Sequence, residues 1–432
     1  MKHTPSFRPL AALLFMLPAL LLAPLAALRA SDKPRDPGLA HFQGLGPNDG
    51  APAIAMDGPP TLIPNPSVTE AYSRAKRTCT GVPSMAITRG GRLWVAWYSG
   101  TTPGEKIEKC PNAYVVVSTS GDGGKTWQEV LAIDPDAGGP LKSMDPRPWI
   151  DPQGRLWIIW HVTINEVSYR YQFKKVWAIT ADDCEKENPS WTPPRHIANG
   201  VLLNKPVVLS NGDWLFVAHD RKTVDVGLLK SIVSDDGGQS FKLRGQVEVS
   251  DHLHAIEPMA VERKDGSVWM LTRTGNAGAG NLDTPQGIYE SVSTDRGVMW
   301  SPPKPSAIKH TASRFYIGRL QSGNLLLLKH SGIDVDLASV KKHRRDLTAF
   351  ISRDDGRSWS KGLIFDERAG CSYPDAQQSP DGTIYVTWDF QRSSDQEILL
   401  TTFREEDVLA GTPEAAARVA ANRRLVSKGG VK

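Results

Sequence analysis

The sequence lacks the features that mark several common protein classes. Its 432 residues include 51 lysines and arginines against 47 aspartates and glutamates, spread along the chain, so no charge excess points to nucleic acid as a partner. It has four cysteines without a C-x-x-C pattern, and its histidines show no metal-ligand spacing, so we expect no metal and no cofactor. Long helical patterns are also missing between its apolar segments, which argues against a helical fold.

What the sequence does contain is a repeat. Six times a glycine begins a short apolar run, as in GRLWVAWY and GTIYVTWD, and the copies are spaced 54 to 63 residues apart. The six glycines are Gly91, Gly154, Gly212, Gly266, Gly323 and Gly382. A repeat of this length, built on strand-like runs, is typical of a ring of small sheets. The sequence therefore predicts an all-β fold, a six-bladed β-propeller of four-stranded antiparallel sheets.

A second motif, of the form S-x-D-x-G-x-x-aromatic, is offset from the first. Its copies are Ser120–Trp127, Ser234–Phe241, Ser293–Trp300 and Ser352–Trp359. The sequence TADDC before Trp191 looks like a degenerate copy. Ser and Asp side chains bond nearby backbone N–H groups and Gly accepts a positive φ, so the motif predicts a hairpin turn with a structural role.

Four segments are predicted along the chain. Residues 1–30 have the basic start, the apolar stretch and the small residues of a secretory signal peptide, with a membrane anchor as the alternative. Residues 31–61 form an extended lead-in, residues 62–410 the propeller, and residues 411–432 a short C-terminal helix and tail. A cleaved signal predicts a periplasmic or secreted protein with no stable membrane span, and disulfide pairing of Cys79 with Cys371 or with Cys110 stays open.

Polar side chains recur at one end of the predicted blades. The residue nine before each repeated glycine should lie beside the residue seven after it, because a tight turn joins two antiparallel strands. This rule pairs Val82 with Tyr98, Asp145 with His161, Glu257 with Arg273, Arg314 with His330, and Tyr373 with Asp389, while the third blade offers Lys205 and His219. Since the first strands of a propeller line its central channel, we expect these residues to surround one mouth of the channel, with the Ser-Asp turns on the opposite face.

Two of these residues form a candidate catalytic pair. A free phenol has a pKa near ~10 and is a poor nucleophile at neutral pH, so Tyr373 needs a base, which Glu257 could supply. Arg273, Arg314 and Arg344 offer planar guanidinium groups for a carboxylate. Together these residues predict a site for an anionic sugar.

Over residues 62–410 the chain resembles the bacterial sialidase (neuraminidase) superfamily with Asp-box repeats. The resemblance lies in IEPMAVERKDGSVWMLTR, HRRDLTAFISRDDGRSW and SYPDAQQSPDGTIYV. These segments contain Glu257 with Arg273, Arg344 with Arg345 as the register alternative, and Tyr373. The resemblance implies an exo-glycosidase that releases sialic acid or a related acidic sugar from a glycan with retention, using Tyr373 as nucleophile and Glu257 as its base. We expect Tyr98, Asp145, His161 and Asp389 to line the same substrate site.

Two motifs of that superfamily are altered. Gly81-Val82-Pro83 stands where the superfamily has Arg-Ile-Pro, so a three-arginine clamp lacks one member, for which Arg314 is the candidate substitute. In that superfamily the general acid is an Asp in the loop after the second strand of blade 1. Here this loop has no Asp, and Glu105 and Glu108 are its available carboxylates. These departures leave two alternatives open: a non-catalytic glycan-binding propeller, and a glycosidase or lyase that acts on another acidic sugar.

Overall fold

The apolar runs after the repeated glycines form the second strand of each sheet. The computed structural model describes residues 58–102, 110–164, 174–222, 226–250, 255–274, 287–331 and 344–430. Within these residues the strands form six antiparallel sheets arranged as a six-bladed β-propeller, which confirms the predicted fold class. The six repeated glycines occupy the turns between first and second strands, with φ between 81° and 93°, a conformation that glycine adopts at little cost.

Each blade has four strands in chain order, from the channel outward. Blades 1 and 2 comprise Cys79–Ile87, Leu93–Gly100, Tyr114–Ser120 and Gln128–Asp134, then Leu141–Ile150, Leu156–Ile164, Lys175–Ala181 and Arg195–Asn199. Blades 3 and 4 comprise Val207–Val208, Trp214–Arg221, Val226–Ser234 and Lys242–Ser250, then Ile256–Glu262, Val268–Arg273, Ile288–Ser293 and Lys304–Pro305. Blades 5 and 6 comprise Tyr316–Arg319, Leu325–His330, Leu347–Ser352 and Leu363–Asp366, then Cys371–Gln378, Ile384–Phe390, Glu397–Phe403 and Arg424–Lys428.

The chain ends add to the first and last blades. Thr61–Pro64 pairs with the outer strand of blade 1 as a fifth strand, and three short 3₁₀ turns follow it, Pro66–Val68, Glu70–Tyr72 and Arg74–Lys76. Two helices, Glu405–Ala410 and Pro413–Ala421, precede the outer strand of blade 6. The second helix begins after Thr412, whose hydroxyl accepts a hydrogen bond from the Ala415 N–H. Residues 411–432 thus supply a propeller strand as well as the expected helix.

The proposed signal peptide and most of the lead-in, up to residue 57, lie outside the described residues. Among the residues that are described, no helix has the length and apolar character needed to cross a membrane.

The Ser-Asp turns join third and fourth strands and also fit adjacent blades together. In the turn of blade 3, Asp236 accepts a hydrogen bond from the Ser234 hydroxyl, and the Gly238 N–H donates to Ser234 Oγ at 2.8 Å. The Cα of Gly238 lies so close to two indole rings that a Cβ there would meet Trp214 at 2.4 Å and Trp157, of the preceding blade, at 2.7 Å. The turn therefore has the structural role expected of it, because its glycine admits side chains that pack between blades.

The ring closes where the first strands of blades 1 and 6 meet. Asp375 accepts hydrogen bonds from the Ser84 hydroxyl at 2.6 Å and from the Met85 N–H at 2.9 Å. Gln377 bonds both the N–H and the carbonyl of Ile87, each at 3.1 Å. Asp375 also faces Lys205 at 2.9 Å and Arg314 at 3.1 Å across the channel. Burial would raise the pKa of Asp375, but these cations outweigh that effect and hold the pKa at about 2. The carboxylate therefore stays ionised.

All four cysteines are buried free thiols. The Cys110 thiol donates a hydrogen bond to Asn112 Oδ1 at 3.1 Å. The Cys371 thiol instead donates to the Arg368 carbonyl at 3.0 Å. Neither of the two pairings that the sequence left open is formed as a disulfide in the structure.

We predict that Gly238→Ala destabilises the propeller by about 3 kcal/mol, because the new methyl group would overlap Trp214 and Trp157 in addition to straining the backbone. Gly237→Ala is the matched control. Its φ of 68° is also positive, but only Gln153 lies near its Cβ position, at 3.8 Å, so we expect a loss of about 1 kcal/mol from backbone strain alone. Urea unfolding of both variants measures the difference, and equal losses would contradict the packing role of the turn.

Candidate functional site

Four first strands contain the same irregularity. In blades 1, 2, 4 and 6 the pairing register with the second strand shifts at a bulge. The bulged residues are Val82, Asp145, Glu257 and Tyr373, each followed by proline, with φ between 52° and 59°. A left-handed conformation costs a non-glycine residue about 1–3 kcal/mol, and a following proline adds steric restriction. Such bulges commonly redirect a side chain beside a functional site.

The bulges correct the pairing rule drawn from the sequence. Tyr98 pairs with Gly81, His161 with Met144, Arg273 with Ile256 and Asp389 with Ser372, so each expected partner is displaced by one residue. The rule was wrong because it assumed an uninterrupted ladder, whereas the bulge inserts one extra residue into the first strand. It nevertheless identified the correct end of each of these blades.

Tyr373 and Glu257 meet across the mouth of the channel. The Tyr373 hydroxyl donates a hydrogen bond to Glu257 Oε1 at 2.7 Å, and both residues are 6% exposed. Arg273 Nη1 donates to the Tyr373 oxygen at 3.2 Å, and Arg273 Nε lies 3.0 Å from Glu257 Oε2. The three side chains, from blades 4 and 6, thus form a closed triangle of phenol, carboxylate and guanidinium.

The electrostatics of this triangle keep the phenol protonated. Burial raises the pKa of Tyr373 to about 12, with Arg273 opposing the shift and the carboxylate of Glu257 adding to it. At neutral pH Tyr373 therefore carries its proton and directs it at Glu257. A group arranged in this way can become a nucleophile when the neighbouring carboxylate accepts that proton.

Two further guanidinium groups lie over the Tyr373 ring. Arg344 Cζ is 5.6 Å from the ring centroid and Arg392 Cζ is 4.1 Å from it. Arg345, the register alternative, is an exposed side chain paired with Asp346 at 2.8 Å, so of these two arginines it is Arg344 that lies over Tyr373. Arg392 was missed by sequence analysis. It lies in the connection after the second strand of blade 6, where no expected motif drew attention to it.

Histidine and aspartate side chains support the bulged residues. His219 Nδ1 accepts a hydrogen bond from the Glu257 N–H at 3.2 Å and so fixes the backbone that carries the carboxylate. Burial lowers the pKa of His219 well below its ordinary value, so the imidazole is neutral and can accept. Asp389 accepts from the Val82 N–H at 2.8 Å and from the Ser372 hydroxyl at 2.6 Å, which ties the bulge of blade 1 to blade 6.

The other residues that the sequence predicted for the site lie in different surroundings. Arg314 is fully buried and bonds Asp375 and the Pro83 carbonyl, so it links first strands instead of joining the guanidinium groups over Tyr373. Tyr98 is 1% exposed in a hydrophobic cluster, and His330 bonds the Arg345 carbonyl. Glu105 and Glu108 lie outside the described residues.

Asp145 and His161 lie together beside the triangle. His161 Nδ1 is 3.6 Å from Asp145 Oδ2, but burial lowers the pKa of His161 well below its ordinary value, so the contact is not an ion pair at neutral pH. Burial raises the pKa of Asp145 to about 6, with Arg147 opposing the shift and Glu257 adding to it. Asp145 is thus poised to exchange a proton near neutral pH.

Comparison with known proteins decides the family. A family model described as a BNR repeat-like domain matches residues 91–386, more than half of the chain. The chain belongs to the BNR repeat-like domain family. No curated protein matches this BNR repeat-like chain.

Solved structures share the fold of this BNR repeat-like protein at low sequence identity. The Hadza microbial sialidase Hz136 is 16% identical with a TM-score of 0.61, over 77% of this chain and 67% of that one. A Dyadobacter fermentans protein of unknown function is 16% identical with a TM-score of 0.57, over 74% and 92%. Trypanosoma rangeli sialidase in complex with sialic acid is 14% identical with a TM-score of 0.56, over 80% of this chain but 56% of that one. At this identity the likeness shows a shared fold.

We predict that Asp145→Asn stabilises the protein increasingly as the pH rises from 4 to 7. A carboxyl group whose pKa rises from 3.8 to about 6 on folding stabilises the folded state below pH 3.8, and this contribution is lost as the pH rises through 6. The amide stays neutral, so its advantage should grow from near zero at pH 4 to about 2–3 kcal/mol at pH 7.

Denaturant unfolding across this pH range measures the effect. Asp381→Asn is the control, because side-chain hydrogen bonds lower the pKa of this exposed Asp to about 2, leaving it ionised throughout the range. A difference between Asp145→Asn and the wild type that does not change with pH would contradict the shifted pKa.

Proposed function

We propose that this protein is an exo-glycosidase that hydrolyses a terminal acidic sugar, sialic acid or a related ulosonic acid, from a glycan. The observation that carries the proposal is the hydrogen bond of 2.7 Å from the Tyr373 hydroxyl to Glu257, within reach of Arg273. A carboxylate-bound phenol surrounded by guanidinium groups is suited to an anionic sugar, since the neutral nucleophile meets no like-charge repulsion. The sialic acid bound by the Trypanosoma rangeli sialidase agrees with this choice of ligand.

The proposed first step forms a bond between the Tyr373 oxygen and the anomeric carbon. The phenolic proton passes to Glu257 Oε1 as the bond forms, and Arg273 Nη1 stabilises the developing negative charge on the oxygen. The glycosidic bond breaks, and its oxygen takes a proton from Glu105 or Glu108, the carboxylates predicted as the acid. Water then attacks the anomeric carbon and gives a proton to the Glu105 or Glu108 carboxylate that acted as the acid, while the bond to Tyr373 breaks and Tyr373 regains its proton from Glu257, so the sugar leaves with retained configuration.

The guanidinium groups supply the proposed binding site for the sugar carboxylate. Arg273 donates a hydrogen bond to the Tyr373 oxygen, and Arg344 lies over the Tyr373 ring. Paired hydrogen bonds from guanidinium to carboxylate are among the strongest available to a polar site. Asp145 and His161 would then face the hydroxyl groups of the sugar.

The second candidate function has two forms. The protein would either bind glycans without turnover, or act as a glycosidase or lyase on another acidic sugar. The specific observation in its favour is Gly81, which removes an arginine from blade 1, together with the absence of Asp from residues 101–113. Affinity for acidic glycans without product, or an unsaturated product, would distinguish these from hydrolysis.

We also propose that the protein is exported to the periplasm or secreted. The proposal rests on Lys2, His3 and Arg8 before the apolar stretch from Leu10 to Leu28 and on the small residues after it. Fractionation of expressing cells, with N-terminal sequencing of the mature chain, tests it. Retention of the uncleaved chain in the membrane would favour the anchor instead.

We predict that Tyr373→Phe reduces hydrolysis of an aryl ketoside of sialic acid to background, because the ring remains but the nucleophilic oxygen is lost. Glu257→Gln should lower kcat by about 10²–10⁴-fold, since an amide cannot accept the phenolic proton. Release of the aryl group measures both. Tyr385→Phe, in the second strand of blade 6 and away from the mouth, is the matched control and should keep full activity.

The thermal stability of each variant separates loss of chemistry from loss of fold. Folded Tyr373→Phe protein with undiminished release would contradict its role as nucleophile. A wild-type protein that releases no aryl group would contradict hydrolysis of this substrate.

A further inference from the structure

Arg392 is fixed in the site at both its backbone and its side chain. The Thr80 N–H of blade 1 donates to the Arg392 carbonyl at 3.0 Å, which joins this connection of blade 6 to the neighbouring blade. The side chain donates from Nε to Asp389 Oδ2 at 2.9 Å and from Nη2 to Ser372 Oγ at 3.1 Å. These contacts hold the guanidinium 4.1 Å above the centroid of the Tyr373 ring.

Gly81 makes room for this side chain. A Cβ at Gly81 would lie 2.8 Å from Arg392 Cγ, 2.9 Å from Cδ and 3.0 Å from Nε, all closer than ordinary contact allows. The φ of Gly81 is not in the left-handed region, so the backbone does not require glycine there. The close approach of Arg392 is therefore the physical reason for glycine at this position.

The charges around Tyr373 favour an anion. Arg273, Arg344 and Arg392 converge on the phenol, and within the part of the chain that the structure describes Glu257 pairs with Arg273 and Asp389 with Arg392. Asp389 is shared among the Val82 N–H, the Ser372 hydroxyl and Arg392, so its charge is spread over three donors. The side chain of Arg392 is still 11% exposed at the mouth, where a ligand can approach it.

We propose that Arg392, lying across Gly81, binds the carboxylate of the acidic sugar and thereby supplies from blade 6 a guanidinium that blade 1 does not provide. This inference rests on the proposed function, since it assigns a ligand group to one residue of the same site. Arg392 and Gly81 form one functional unit: a side chain at position 81 would displace the guanidinium. Asp389 is a positioning residue, because it acts on the ligand through Arg392.

The test compares a free acid with its neutral ester. Binding of 2-deoxy-2,3-didehydro-N-acetylneuraminic acid and of its methyl ester is measured by calorimetry for the wild type and Arg392→Ala. Loss of an ion-paired hydrogen bond should weaken binding of the acid roughly 10- to 100-fold and leave that of the ester nearly unchanged. Arg404→Ala is the control for net charge, because Arg404 lies beside Asp381 on the opposite face and should change neither affinity.

Gly81→Ala provides the second variant. It retains all three arginines, yet its methyl group should push Arg392 aside and weaken binding of the acid as Arg392→Ala does. In the double variant Gly81→Ala with Arg392→Ala the two losses should not add, because the methyl group then has no guanidinium to displace. Additive losses would contradict the proposed coupling of the two positions.

The outcomes separate this inference from the proposed function. Wild-type hydrolysis together with unchanged affinity of folded Arg392→Ala for the acid would overturn the role of Arg392 and leave the hydrolase standing. Acid binding without turnover that is lost in Arg392→Ala would support the role of Arg392 and overturn hydrolysis. A wild type that binds neither compound would overturn both.

Discussion

The left-handed residue before proline within four first strands is the constraint on which the site depends. Along an uninterrupted strand, side chains alternate between the two faces of the sheet, and each face of a blade packs against a neighbouring blade. The bulge adds one residue and directs Glu257 and Tyr373 toward each other across the mouth. Its backbone cost is offset by hydrogen bonds from adjacent blades, as His219 provides for Glu257 and Asp389 for Val82.

Closure of the ring and construction of the site use the same strand. The first strand of blade 6 supplies Tyr373 at the mouth and, two residues later, Asp375, which bonds Ser84 in blade 1 and faces Arg314 of blade 5. Asp389 on the neighbouring strand holds both the bulge of blade 1 and Arg392. Separation of blades 1 and 6 would therefore disturb the phenol and a guanidinium together, so an intact ring is a condition for the geometry of the site.

The sequence predicted the fold and the main pair because both depend on spacing. Six regularly placed glycines require six hairpins, and residues at equivalent distances from them come to the same mouth, as Glu257 and Tyr373 do. The bulge shifted each pairing by one residue, which a count along the chain cannot reveal. Sequence analysis missed Arg392 and gave its role to Arg314, because long-range contacts decide where an arginine side chain lies. Arg392 lies over Gly81, more than 300 residues away in the chain. Arg314 instead lies in the channel, where it bonds Asp375.

The charge arrangement also constrains the order of the proposed chemistry. Burial raises the pKa of Tyr373 to about 12, although the guanidinium of Arg273 counteracts part of the rise. A sugar carboxylate bound to the guanidinium groups of Arg273, Arg344 and Arg392 would cancel part of their positive potential. The pKa of the phenol would then rise further at the moment when Tyr373 must react. A free phenolate before attack is therefore disfavoured. Because the hydroxyl already donates to Glu257 at 2.7 Å, proton transfer can accompany formation of the carbon–oxygen bond, and the carboxylate's position matters more than a lowered pKa.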